Sequence, residues 1–174
     1  MAEITKSAGT LETLDFSGDY QVEWSDINNV NVSDNSYATA VCSGNRPYQI
    51  KATNFGFGIP AGATITGYNL EVEGKTSTGS VYLDFKLYKT SYGAYVATYA
   101  DTLETVEGIA SFGDTSIWTP AEINSSDFGI GVGISEAYTG TLSIDHLRVT
   151  ITYTGGDSIL SNISSISNIS QITL

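Results

Sequence analysis

The chain is poor in several residues at once. Of 174 positions one is Cys, one is His, one is Met and three are Pro, and Lys and Arg together number seven. A lone Cys42 excludes an intrachain disulfide and a cysteine-based zinc site, and its expected place is that of a small buried hydrophobe in a strand over 37–43. Seven cations are too few to line a nucleic-acid groove, which needs clustered Lys and Arg against phosphate. Against 19 acidic side chains they leave a formal charge of −12, which also argues against docking on an anionic membrane. No apolar run approaches ~18 residues, so no spanning helix is expected. The opening MAEITKSAG lacks the apolar core of a secretory signal. The sequons at Asn31, Asn124, Asn162 and Asn168 are accordingly read as chance in a chain rich in Asn and Ser.

What is present points to strands. Hydrophobic residues make up 41% of the chain and charged ones only 15%, with eleven Tyr, six Phe and two Trp, and Ser plus Thr supply roughly a quarter. A disordered acidic chain has the opposite balance. Val81, Leu83, Phe85 and Leu87 alternate with polar neighbours; so do Leu147, Val149, Ile151 and Tyr153, and Phe128, Ile130, Val132 and Ile134. Period 2 marks a strand with one buried face. Shorter candidates lie at 19–24, 37–43, 48–54 and 92–99. Two phase breaks, between Ile65 and Tyr68 around Gly67 and between Ile144 and Leu147 across Asp145 and His146, predict β-bulges. The only helical signal is a single turn, with Thr119 as cap, Pro120 at the first position, Glu122 at the third and Asn124 at the end. The expected fold is all-β: a jelly-roll-like antiparallel β-sandwich of about eight to nine strands with an extended C-terminal tail. The expected organisation is an N-terminal arm over 1–14, the sandwich over 15–154 and the tail over 155–174.

That tail has its own period. After Gly155 and Gly156, Ile163, Ile166, Ile169 and Ile172 recur every three residues among Ser, Asn and Gln, which fits neither strand nor helix. Three residues per turn would align them on one edge. One chain alone cannot bury that edge, whereas three copies about a three-fold axis can. Ile159, Ile163, Ile166, Ile169, Ile172 and Leu174 are therefore the candidate interaction residues, for trimerisation or docking. A disordered Ser-rich end and a short helix packed on the domain are the alternatives.

Residues able to do chemistry are few. His146, the lone His, follows Asp145, but neighbours on a regular strand face opposite ways and no nucleophile motif accompanies them, so a structural role at the bulge is expected. Asp127-Phe128-Gly129 matches a kinase magnesium motif by letters alone. Gly129, Gly131 and Gly133 form a strip without side chains, where an aromatic from a neighbouring strand can lie against backbone or a sugar can bind flat. The Asp and Asn side chains of residues 26–34 suit Ca²⁺ by type, yet lack the glycine and terminal glutamate of an EF-hand loop and read more simply as turns. Glu71, Glu73, Asp84 and Glu104 are the carboxylates available for a glycosidase pair, with nothing to single out two of them. The expectation is no enzyme, no cofactor and no metal.

Four segments carry a resemblance. Residues 55–73, FGFGIPAGATITGYNLEVE, contain the pattern F-x-IP-x-GA-x-I-x-G leading into a long strand. Trp24 with Asn29, Val30, Asn31 and Val32 precedes it. Trp118-Thr119-Pro120 with Ile123-Asn124, then Asp127-Phe128-Gly129, follows, before a closing strand through Val149 and Tyr153. In this order, over about residues 15–154, they resemble a β-sandwich module of tailed-bacteriophage virion surface proteins. The resemblance implies a virion component on the outside of the particle and supplies no catalytic residues. Together with the tail it leads to a non-enzymatic capsid decoration or cement protein, a homotrimer on the major capsid protein of the head, with contacts through apolar anchors and strand edges. An acidic surface suits the exterior rather than packaged DNA. The alternative is a receptor- or glycan-binding module of a tail tip or fibre, with Tyr82, Tyr88, Tyr92 and Tyr95 available to stack on sugar rings; cross-strand packing is the plainer role for these tyrosines.

Overall fold

A computed structural model describes residues 1–15, 21–88, 99–115 and 118–156. Two sheets face each other across an apolar core. The six-stranded sheet holds β1 (Ala2–Ser7), β3 (Gln21–Val22), β4 (Ala38–Pro47), β6 (Ala63–Thr76), β9 (Gly108–Asp114) and β11 (Tyr138–Gly155). The five-stranded sheet runs in the order β2 (Thr10–Leu14), β5 (Gln49–Thr53), β10 (Gly129–Ile134), β7 (Val81–Tyr88), β8 (Tyr99–Leu103). Apart from the β7–β8 hairpin and the β3–β4 step, each described strand is followed by one in the opposite sheet. This alternation makes a jelly-roll-type sandwich.

The periodic segments pack as their alternation requires. Leu83, Phe85 and Leu87 from β7, Ile130 and Val132 from β10, and Leu147, Val149 and Ile151 from β11 are all buried. Both bulges are present. The β11–β6 register slips between Ile144 and His146, and again opposite residues 65–67. Cys42 is buried on β4, and burial pushes its thiol pKa up. The helical turn α1 (Pro120–Ile123) carries a full capping box, Thr119 accepting from the Glu122 backbone while Glu122 accepts from that of Thr119.

Four features differ from expectation. The described residues form eleven strands rather than eight or nine. Residues 2–7 and 10–14, expected as an arm, are strands paired with β11 and β5; Lys6 shares the inward row with Ile4, which hides the alternation. In 19–24, only Gln21–Val22 is strand among the described residues, and it pairs parallel with β4 in an otherwise antiparallel sandwich. β9 is a strand the alternation does not predict, because the apolar Ile109 and Ala110 are adjacent and fall on opposite faces, Ile109 exposed and Ala110 buried. Residues 92–98 and the whole isoleucine-bearing tail, Ile159 to Leu174 included, lie outside the described residues.

Two of the segments that carry the resemblance, residues 55–73 and 118–129, meet in one place. Phe128 contacts Phe55, Phe57 and Trp118 at centroid distances of 6.0, 5.9 and 5.4 Å. Asn124 clamps the Ile59 backbone from both sides, accepting from its N–H at 2.8 Å and donating to its carbonyl at 2.7 Å. The motif is thus a packing unit. It explains the Asp127-Phe128-Gly129 letters without a metal, and it occupies the Asn124 side chain that a sequon would offer to sugar. No helix among the described residues is long and apolar enough to cross a membrane.

Candidate functional site

The outer face of the five-stranded sheet is built around an absence. Gly129, Gly131 and Gly133 lie on its central strand, opposite Tyr88, Lys86 and Asp84 of β7 on one side; Thr53 and Lys51 of β5 lie opposite Gly129 and Gly131 on the other. Strand neighbours in register point to the same face, so the row leaves a trough between β5 and β7. One end of the trough is filled. The Gln49 side chain lies over Gly131, where a Cβ would come within 2.8 Å of it, and the Tyr88 hydroxyl reaches across the glycine strand to donate to Gln49 Oε1 at 2.8 Å. Lys51 sits 5.6 Å from the Tyr88 ring centre and pairs with Glu12 at 2.6 Å. Gln49, Lys51 and Tyr88 are each only 6% exposed, although all three belong to the solvent side of the sheet.

The other end stays open. Beside Gly133 is a cleft of about 230 Å³, walled by the polar groups of Arg46, Gln49, Asp84 and Lys86, with Gln21 above. Leu14, Pro47 and Ile134 supply its apolar surface. A smaller depression of about 130 Å³ shares Ile134 and is bordered by Tyr82. Tyr82, 59% exposed, stands on the same face of β7 as Asp84 and Lys86. Burial raises the Asp84 pKa, with Lys86 and Arg46 acting against that shift. It lowers that of Lys86, where Asp84 opposes the shift and Arg46 adds to it. The Arg46 guanidinium donates to the Ser135 carbonyl at 3.4 Å, bridging the two depressions.

The outer face of the six-stranded sheet is filled by cross-strand pairs. Arg148 donates to both carboxylate oxygens of Glu71 at 2.9 and 3.1 Å. Thr5 bonds Thr150, and Ser7 bonds His146 Nε2, each at 2.8 Å. The bulge places Asp145 and His146 on this same face rather than on opposite ones, because Asp145 is the extra residue between two register positions. Burial and Arg148 hold the His146 pKa below its ordinary value, with Glu73, Asp145 and Glu71 pulling the other way.

Among the described residues, Glu73, Glu107 and Asp145 are a group that could hold a metal ion, with carboxylate oxygens within 4.8 Å of one another. The 26–34 segment touches this cluster: the Asp34 N–H donates to Asp145 at 3.3 Å, and Asn31 bridges to His146. Lys75 stands 3.6 Å from Glu107, and Tyr37 donates to the same carboxylate at 2.8 Å. The four carboxylates named as glycosidase candidates do not converge. Glu71 belongs to its arginine and Glu73 to the acidic cluster, both on β6, while Asp84 is on the other sheet and Glu104 follows β8.

Of the tyrosines available for stacking, Tyr82 is exposed, while Tyr88 takes the plainer packing role and is buried, since Gly129 opposite leaves it a hollow to lie in; Tyr92 and Tyr95 are outside the described residues. Arg46, Gln49 and Lys86 were not anticipated. The glycine row was the one available signal, together with the outer parity of Asp84 and Lys86 on β7.

No family model and no curated protein matches the chain. Solved structures of similar fold include the CBM22-1–GH10 modules of Clostridium thermocellum endo-1,4-beta-D-xylanase 10B complexed with xylohexaose, at 10% identity and a TM-score of 0.50 over 90% of this chain and 29% of that one. The CBM22-1 xylan-binding domain of Paenibacillus barcinonensis Xyn10C is similar at 8% identity and a TM-score of 0.48 over 87% and 95% of the two chains. A family 29 carbohydrate binding module from Piromyces equi aligns at 10% identity and a TM-score of 0.46 over 94% and 99%. Identity at this level is a likeness of fold.

Proposed function

We propose that the chain is a non-catalytic glycan-binding module whose ligand lies along β7, over the open end of the glycine row. The observation that carries this reading is the cleft beside Gly133, with the exposed Tyr82 ring on the same face. Sugar recognition asks for a few fixed donors and acceptors around hydroxyls and a flat apolar surface under a ring. Arg46, Gln49, Asp84 and Lys86 supply the first and Tyr82 the second. Fold likeness alone assigns no ligand; the cleft is what supports this one. A receptor-binding role at a phage tail tip or fibre would place such a module where it meets host surface sugars.

The test is a glycan array probed with the native chain and with Gly133→Val, whose side chain would stand in the cleft. Binding by the native chain that the variant loses is the expected result; an empty array, or equal binding by both, contradicts the reading. The capsid-decoration reading, a homotrimer on the major capsid protein, rests on the sequence resemblance and the isoleucine tail. Co-sedimentation with empty phage shells, with and without residues 155–174, tests it.

A further inference from the structure

Resting on the glycan reading, we infer that the cleft takes the acetamido group of an N-acetylated amino sugar. The basis is the polarity of its two walls. Gly133 lies opposite Asp84 of β7, and one step beyond the Val132–Ile50 pair it has Gln49 of β5 on its other side. With no side chain at Gly133, Gln49 and Asp84 face each other across a gap two strand spacings wide, about 10 Å between Cα atoms. The Gln49 amide has a fixed sense. Its Oε1 accepts from the Tyr88 hydroxyl at 2.8 Å, and its Nε2 is the end nearer Gly133, 3.6 Å from where a Cβ there would stand. One wall therefore offers N–H donors and the other a carboxylate, which only accepts. Arg46 and Lys86 line the same cleft but have further interactions of their own, which leaves Gln49 and Asp84 as the pair turned to a ligand.

An acetamido group matches that pair. Its amide is planar and trans, so the carbonyl and the N–H point in opposite directions, the first to Gln49 and the second to Asp84. A hydroxyl donates and accepts at a single oxygen and cannot reach both walls. The acetamido methyl then meets the apolar part of the lining, Leu14 beside Gln49 on β2 together with Pro47 and Ile134. A donor wall, an acceptor wall and an apolar seat thus correspond to the three parts of one substituent, and the exposed Tyr82 ring further along β7 is left for a sugar face.

Calorimetric titration of the native chain with two pairs of probes tests the inference: a chito-oligosaccharide against the cello-oligosaccharide of equal length, and methyl N-acetylgalactosaminide against methyl galactoside. Within each pair the sugars differ only in carrying acetamido or hydroxyl at carbon 2. At least one acetamido probe is expected to bind about tenfold more tightly than its partner, or better, as two additional hydrogen bonds would give. Gln49→Glu, which keeps the acceptor for Tyr88 and loses the donors, should abolish that difference, and so should Asp84→Ala. A preference that survives both substitutions places the acetamido group elsewhere and overturns the assignment. Equal affinity within both pairs, or preference for the hydroxyl form, overturns it while leaving a glycan site standing. Array binding confined to glycans without an acetamido group does the same. Absence of binding to any glycan overturns both readings. The comparison of paired ligands on the native chain decides the matter even if a variant fails to fold.

Discussion

The two outer faces of the sandwich have the same backbone and opposite habits. On the six-stranded sheet neighbouring strands carry side chains that find partners across the strand gap, as Arg148 does with Glu71, Thr5 with Thr150 and Ser7 with His146. On the five-stranded sheet the central strand presents only glycine outward, and the neighbours must either fall into the gap or leave it open. Gln49 and Tyr88 fall in; beyond them Gly133 leaves a cleft. A row of missing side chains thus does on a flat sheet what a loop pocket does elsewhere, while the paired face closes itself.

Filling the trough should break this contrast most strongly at Gly129. A Cβ there would stand 2.7 Å from the Ala52 carbonyl oxygen and from Thr53 Cγ2, so backbone has to move. Gly129→Ala should destabilise by about 2–3 kcal/mol, the upper part of the usual overpacking range, read as a fall in denaturation midpoint. At Gly131 the obstacle is the far end of the flexible Gln49 side chain, so Gly131→Ala should cost about 1 kcal/mol and displace the amide from Tyr88. Equal costs at the two positions would mean that Gln49 is as rigid as backbone.

On the paired face the exception is Asp145, 1% exposed and crowded by Glu73 and Glu107. Asparagine keeps the acceptor for the Asp34 N–H and removes one charge. Asp145→Asn should therefore stabilise the chain in chelator-containing, low-salt buffer by about 1 kcal/mol, given an interaction of like charges at an intermediate effective dielectric. Destabilisation on thermal melting would show the carboxylate to be compensated. The ordinary pairs should matter less: Arg148→Ala, which removes a partly exposed bidentate bridge, should cost between about 0.5 and 1 kcal/mol, and a loss several times larger would contradict a surface role.

Much of this contrast could be seen before any coordinates. The alternations through Phe85, Val132 and Val149, both bulges and the capped turn at Thr119 were legible because each depends on local periodicity or capping. The strand pairing of residues 2–14 was not, since Lys6 interrupts the inward row and only the partner strands reveal its register. The cleft was legible only as a glycine row. Its walls come from Arg46, Gln49 and Asp84–Lys86, which three strands of one chain bring together across the fold. Tyr88 takes the plainer of the two roles open to it, cross-strand packing, and where it packs is set by Gly129 opposite, a fact of register rather than of its own neighbours.

The smallest expected effect is a slope. Burial holds His146 below its ordinary pKa of 6.5, so as pH falls the unfolded chain takes up the proton before the folded one does. Stability fully present above pH 6.5 should thus decline as pH drops from there through the folded value. His146→Gln should flatten that part of the curve; an unchanged slope would place the titration elsewhere.

The most direct test of the account is a map of where the sugar sits. With a glycan selected on the array, NMR titration of the isotope-labelled chain should move the backbone signals of Gly133, Asp84, Lys86 and Tyr82 together and leave those of Glu71, Arg148 and Thr150 in place. Shifts confined to the six-stranded face, with the glycine row silent, would contradict it.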